Sequence, residues 1–329
     1  MTSPAPHGRR RLCAISIDLD SLACYYRIHG LGAPPPGLEH VILERALPRA
    51  AQLFASRGLR VTWFVVGRDA DGELAVADRA ARRASAEQLR SLAERGDELG
   101  NHSYSHPYEL ARLSPAEVAA EIDGCDRVLR AITGRPPRGF RAPGYDLSPA
   151  MLDRLAHLGY RYDSSLFPAP GYYAAKAAVM AALALAGRPS GAVMTNPRAL
   201  AAPATPYRPA MAAPWRRGQA PVVELPVAVT PWLRLPAIGT SLIVAPALLR
   251  RRLVRAMARR GFWNFELHGI DFADAELDGI PGELVARQPD LRLSIQDKLA
   301  RLGELLDQIA AGWSVVTLAE VAAEVQRDE

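Results

Sequence analysis

Short runs of apolar, β-prone residues alternate with helix-like stretches along this chain, and that alternation narrows its fold more than any other feature. Residues 12–17 read as a strand that ends in Asp18-Leu19-Asp20. A helical stretch at 41–56 follows, then a strand at 61–66 closed by Gly67. Ser85 with Gln88 has the spacing of a capping box opening the next helix. Residues 98–101 are short and strand-like and run into two histidines. Ser114-Pro115-Ala116-Glu117 combines a cap, a first-turn proline and a box-closing Glu, which predicts a helix from there to about Ile132, stopping near Gly134. Ser148-Pro149 starts another helix, and 160–162 read as a strand leading to Asp163. Strands at 222–229, 263–268 and 314–316 and helices at 246–259 and 294–311 complete the rhythm, with Thr317 and Glu320 spaced to box a last helix. This strand–helix order predicts an α/β fold with a largely parallel sheet.

Residues 168–219 break the pattern. They are rich in Ala and Pro and poor in acidic residues, with an apolar helix-like piece at 172–186 and then a proline-punctuated stretch. They read as an insertion or lid within a single catalytic domain spanning 1–329. With 329 residues, 49% of them hydrophobic, the chain can bury a large core, and α/β barrels of this length are routinely one domain.

The formal net charge of +5 comes mostly from arginine and is compatible with anionic partners. No nucleic-acid recognition motif accompanies it, so no nucleic-acid partner is expected. Cys13, Cys24 and Cys125 form no CxxC pair and read as buried thiols. The first residues lack a signal-peptide apolar region, which leads to the expectation of a cytoplasmic protein. Residues 248–260 set six arginines beside Leu248, Leu249, Leu253 and Met257. That pattern fits an outer barrel helix with its arginines in water first, and a basic amphipathic helix making peripheral membrane contact second.

Four polar clusters fall at predicted strand ends, where α/β barrels place their active sites. Asp18 and Asp20 alternate along one strand and so share a face; two close carboxylates favour a cation between them, although a loop start also supplies such pairs. In His102-Ser103-Tyr104-Ser105-His106 the histidines stand at i and i+4, which on a helical turn brings two imidazoles to one side, as a shared cation requires. Arg141, in Phe140-Arg141-Ala142-Pro143-Gly144-Tyr145, can pair with a carboxylate, and the Pro-Gly turn can expose a backbone N–H. His268, in Phe265-Glu266-Leu267-His268-Gly269, is a candidate proton donor.

In order, these clusters resemble the five motifs of the polysaccharide deacetylase (NodB-homology, carbohydrate esterase family 4) family: Asp18-Leu19-Asp20, His102 to His106, Arg141-Ala142-Pro143, Tyr162-Asp163-Ser164-Ser165 and Leu267-His268. Leu19 departs from the family's commonest pair of adjacent aspartates. The resulting Asp-x-Asp resembles the branch of peptidoglycan deacetylases and lipid-linked aminoarabinose deformylases. The resemblance implies a distorted (β/α) barrel of about seven parallel strands. It also implies a hydrolase acting on the N-acetyl or N-formyl amide of an amino sugar, either a cytoplasmic precursor or a lipid-linked glycoconjugate. By the same resemblance, Asp20, His102 and His106 hold one divalent ion, expected to be Zn2+. Asp18 is the general base, oriented by Arg141. Gly144 supplies an oxyanion-binding N–H, and His268, charged by Asp163 or another carboxylate, protonates the leaving amine. Tyr145 and Trp232 are expected to touch substrate. A carbohydrate-binding barrel without turnover, or a linear amidase with the same site, are the alternative readings.

Overall fold

A computed structural model describes residues 11–74, 78–185, 187 and 190–327; the first ten residues, on which the expected location partly rests, lie outside it. Its strands are β1 (Leu12–Asp18), β2 (Thr62–Val65), β3 (Glu98–Asn101), β4 (Gly139–Phe140), β5 (Tyr162–Asp163), β6 (Pro209–Ala210), β7 (Ala213–Arg217), β8 (Val223–Glu224), β9 (Phe262–His268) and β10 (Ser314–Val316). Eight of them form one sheet in the order β10-β1-β2-β3-β4-β5-β8, with β9 on the other side of β1, and all its pairings are parallel. One edge of β1 is shared: β10 pairs its first half at Leu12–Ala14 and β2 its second half at Ser16–Asp18. Because β8 and β9 do not pair among the described residues, the curled sheet is a barrel left open between those two strands. β6 and β7 form a separate antiparallel hairpin in the insertion.

The strands are short and apolar because both sheet faces are covered. Every residue of β1 and β2 is buried, as expected of a parallel sheet wrapped by crossover helices. The main core packs Trp63, Phe265 and Trp263 of the strands against Phe54 of the helix Leu47–Ala55 and Phe272 beyond β9. The helix Pro115–Thr133 starts and stops as its sequence predicts. Ser114 and Glu117 close a reciprocal capping box, and Gly134 ends the helix in the left-handed conformation. Thr317 and Glu320 likewise exchange the predicted bonds ahead of the helix Leu318–Arg327.

Two local expectations fail. The helix Arg79–Arg95 is already under way at Ser85, whose hydroxyl donates to the Ala81 carbonyl one turn back, so Ser85 caps nothing. The strand expected at 222–229 is only Val223–Glu224. Pro226 brings no N–H to continue a ladder, and the chain leaves the sheet, with Val227 donating to Leu166 O and Ala228 to Asn264 O.

Gly139 leaves room for the Tyr162 ring, which lies over it from the neighbouring strand. A Cβ there would stand 1.8 Å from Tyr162 Cζ, and the Tyr162 hydroxyl is itself committed to Glu98 at 2.9 Å. Gly139→Ala should therefore overpack the β4–β5 junction and lower unfolding free energy by about 1–3 kcal/mol, read from urea midpoints at unchanged slope. An unaltered midpoint would show that the junction has room to spare.

Candidate active site

Two buried groups of side chains meet at the C-terminal ends of β1, β3, β4 and β9. The first is Asp20, His102 and His106. Asp20 Oδ1 lies 3.1 Å from His102 Nε2 and 3.1 Å from His106 Nε2, and all three residues are buried. Burial alone would push the Asp20 carboxyl up, but the His106 and His102 imidazoles outweigh it and hold the group well below the usual carboxylate range.

The histidines reach one point by a route the sequence does not announce. Residues 102–109 form no helical turn. His106 has φ 59 and Ser103 φ 64, so both occupy the left-handed region. Pro107 disfavours a right-handed helical conformation at the residue before it. Ser103 anchors the loop instead: its N–H donates to Asn101 Oδ1 and its hydroxyl accepts from the His106 N–H. The two rings end 4.9 Å apart. His102 Nδ1 stands 2.7 Å from the Arg141 carbonyl, which accepts its proton and so turns Nε2 toward Asp20. His106 Nδ1 faces Cys24 Sγ at 3.4 Å.

The second group surrounds Asp18. Arg141, fully buried, donates from Nη1 to Asp18 Oδ1 at 2.6 Å, from Nη2 to Ser16 Oγ and Ser164 Oγ, each at 2.9 Å, and from Nε to the Ser164 carbonyl. Its guanidinium also lies over the Phe64 ring at 4.2 Å. Asp18 and His268 are register partners across β1 and β9. One ligand atom each from Asp18, Glu266 and His268 falls within 4.8 Å of the others. Burial lowers the His268 pKa, but Glu266 first, and then Asp18, more than reverse this and lift it to about 9. Burial pushes Glu266 up to about 7. Tyr145 Oη touches His268 Nε2 at 3.2 Å.

Most of the residues expected at the site thus come together: Asp18, Asp20, His102, His106, Arg141, Tyr145 and His268, with Gly144 turning the chain after β4 at φ 77. Two do not join them. Asp163 is not among the carboxylates acting on His268. It accepts from the Ser165 N–H and hydroxyl and faces Glu224 across the β5–β8 pairing, where burial first and then the Asp163 charge raise the Glu224 carboxyl well above its ordinary value. Trp232 is 88% exposed on a hairpin closed by Thr230 and Leu235, away from these contacts. The residue that sequence reasoning passed over is Glu266. Its position two before His268 on one strand put it on the same face, which was a usable signal. Both its oxygens are buried without a hydrogen-bond partner, and Arg141 Nη1 stands 3.7 Å away.

Donor chemistry separates the two groups. Two atoms each about 2.0–2.1 Å from one ion at tetrahedral angles sit roughly 3.3 Å apart, which the 3.1 Å spacings around Asp20 approach. The donor set of two imidazoles and a carboxylate suits a zinc-like divalent ion. Around Asp18 the positive charge is already present as Arg141, so that group is built for proton transfer.

The insertion walls this end of the barrel. Gly191 donates to Arg27 O, Arg112 to Met194 O and Thr195 to Tyr145 O, while Tyr172 stacks near Phe167 and Tyr145. A cavity of about 920 Å³ lies elsewhere, among Arg60, Glu98, Arg138 and Arg161, and contains none of the site residues.

Comparison with known proteins gives the same direction. The sequence profile of the polysaccharide deacetylase family matches residues 39–162. The peptidoglycan deacetylase of Helicobacter pylori (strain ATCC 700392 / 26695) is 26% identical over 157 residues, 47% of this chain and 49% of that protein, so the chain spans about half the length of this curated relative. A Mycobacterium smegmatis structure described as a polysaccharide deacetylase superposes with TM-score 0.60 at 19% identity, covering 99% of this chain and 93% of the other. A Puue allantoinase superposes with TM-score 0.56 at 14% identity, covering 98% and 93%. Both structures share the fold. Over residues 39–162 the chain is similar to the polysaccharide deacetylase family, and the ordered motifs gathered at its strand ends extend that likeness.

Proposed function

We propose that this protein hydrolyses the N-acetyl or N-formyl amide of an amino sugar, carried on a cytoplasmic precursor or a lipid-linked glycoconjugate. The observation that carries this reading is the abutment of two differently built groups: three metal-type donors around Asp20, and a carboxylate–guanidinium–imidazole group around Asp18, with His102 Nε2 only 3.8 Å from Asp18 Oδ2. Amide hydrolysis needs both an electrophile for the carbonyl and proton transfer at two atoms.

Asp20, His102 and His106 would hold one divalent ion, with Zn2+ the best fit to the donor set. Such an ion, when bound, supplies Lewis acidity to the carbonyl oxygen and makes a bound water more acidic. Asp18 takes the proton of the attacking water. Arg141 keeps that carboxylate in one orientation through its 2.6 Å bond, while leaving Oδ2 free for the water. The Gly144 N–H donates to the carbonyl oxygen as negative charge gathers there. His268, positively charged up to about pH 9 because Glu266 faces it, gives its proton to the departing nitrogen as the C–N bond breaks. Tyr145 fixes the imidazole through its 3.2 Å contact. The products are the free amino sugar and the short carboxylic acid. Asp163 has a structural part in this scheme: with Ser165 and Glu224 it fixes the loop whose Ser164 holds Arg141.

Incubation of the pure, metal-loaded protein with acetylated and formylated amino-sugar precursors, followed by mass spectrometry, tests the reaction; no deacylated product from any of them would refute it. Asp18→Asn should keep the full metal content and lose roughly 10²–10⁴ in kcat, the contribution of a general base; turnover near that of the parent would remove Asp18 from that role. His102→Ala should lose the metal itself, read by elemental analysis; full metal content in that variant would place the ion elsewhere. The pH profile supplies a third check. His268 acts as the charged form, so activity should fall as pH rises through about 9. Glu266→Gln removes the largest influence raising that pKa, so the alkaline limb of kcat/KM should move to lower pH. A limb that stays in place would separate Glu266 from the acid.

A further inference from the structure

The chain's charge and its exposed apolar surface are both concentrated in one stretch that the catalytic reading does not use. Residues 164–265 contain thirteen basic residues and a single acidic one, Glu224, which is fully buried. The stretch therefore carries +12 and the rest of the chain −7, giving the overall +5. Of the ten large hydrophobic side chains that are exposed among the described residues, nine lie in this same stretch; Leu277 is the exception.

The stretch is also one sector of the molecule. It runs from the end of β5 through β8 to β9, the side on which the sheet is open. The hairpin at 230–235 ties its parts together: Arg234 donates to the carbonyls of Leu200 and Ala202 in the insertion, and Arg260, just after the basic helix, donates to Thr230 O. At the hairpin tip Trp232 and Leu233 are 88% and 76% exposed. Trp232 (φ 67) and Arg234 (φ 49) are held in the left-handed region, a conformation that costs free energy for residues with side chains. On the helix Ala247–Met257, Leu253, Val254 and Met257 face the core. Leu248 and Leu249 are exposed at its start, and Arg251, Arg252 and Arg255 are exposed along its length.

We infer that this sector docks on an anionic lipid bilayer, its arginines among the headgroups and Trp232, Leu233, Leu248 and Leu249 in the interfacial layer. Interfacial binding scales with buried apolar area plus attraction to anionic lipid, and both are supplied here by the same residues. Nucleic acid would use the arginines but leave the aliphatic side chains unrewarded. A second copy of the chain would set one strongly positive face against another. No helix among the described residues is long and apolar enough to cross a membrane, so the association is with the surface.

Sedimentation of the full chain with vesicles tests this without reference to turnover. The protein should pellet with phosphatidylcholine vesicles containing phosphatidylglycerol and far less with phosphatidylcholine alone, and the bound fraction should fall as salt rises. Leu248→Ser/Leu249→Ser should weaken partitioning roughly tenfold at an unchanged thermal midpoint, whereas Leu277→Ser should bind as the parent does. Asp18→Asn should bind vesicles fully, which keeps failure of docking distinct from failure of the amidase reading. Four results would each overturn the inference: no pelleting with anionic vesicles at low salt, equal binding by the double-serine variant, salt-sensitive retention on duplex DNA without vesicle binding, or a dimer that the double-serine variant abolishes in a protein that ignores vesicles.

Discussion

A single buried guanidinium organises the catalytic end of this barrel. Arg141 follows the shortest kind of strand in the sheet, yet it reaches Asp18 and Ser16 on β1, Ser164 after β5, the Phe64 ring on β2 and the neighbourhood of Asn264 and Glu266 on β9. A charge wholly removed from water is tolerated only when opposite charge and hydrogen-bond acceptors surround it. Removing one partner of such a pair typically costs about 3–5 kcal/mol, because the other is left uncompensated. The constraint therefore works in both directions: the strands must close around Arg141, and Arg141 fixes where Asp18 points. Asn264 reinforces the hub, donating to Ser164 Oγ and Leu225 O while accepting from Ser16. These bonds span the gap between β8 and β9 that the backbone ladder leaves open.

From that hub the chemistry divides by charge type. On one side the Arg141 carbonyl accepts from His102 Nδ1, so the same residue that orders the base also sets the tautomer of a metal-type donor. On the other side the guanidinium stands between Asp18 and Glu266, two carboxylates that would otherwise repel. Glu266 has no hydrogen-bond partner for either oxygen, and its influence falls on His268. The group at Asp20 offers two imidazoles and a carboxylate as donors to a cation, whereas the group at Asp18 already holds a fixed positive charge in Arg141. This is why two clusters a few ångströms apart are suited to different tasks.

Much of this was legible from residue order. The caps at Ser114 and Thr317, the strand positions of β1 to β3, and the motif residues at strand ends follow from local rules that act within a few residues. Where local rules misled, a neighbour in space or sequence overrode them. Ser85 is a cap by spacing but an interior residue because the helix begins earlier. The histidine pair reads as a helical turn, but Pro107 and the Ser103 bonds fold it as a left-handed loop that delivers the same convergence. Asp163 reads as a partner of His268 because it sits in a motif, but it is spent on Ser165 and Glu224 across the next strand pairing.

What the sequence by itself determined is the alphabet of the site and its strand-end positions. Alternation along β9 places Glu266 with His268, since side-chain direction in a strand is a property of the backbone, whereas Asp20 lies beyond the end of β1 and joins a different group from Asp18. What only the tertiary structure decided is which of those groups face one another. Asp20 and His106 are 86 positions apart, and Asp18 and Arg141 are 123 apart. Pairing at such separation is set by sheet order and by the need to compensate buried charge, neither of which is written in any short stretch of residues. The same holds for the cationic, apolar sector: its composition can be counted from the chain, but only folding decides that Leu253 and Val254 turn inward while Leu248 and Leu249 are left facing water.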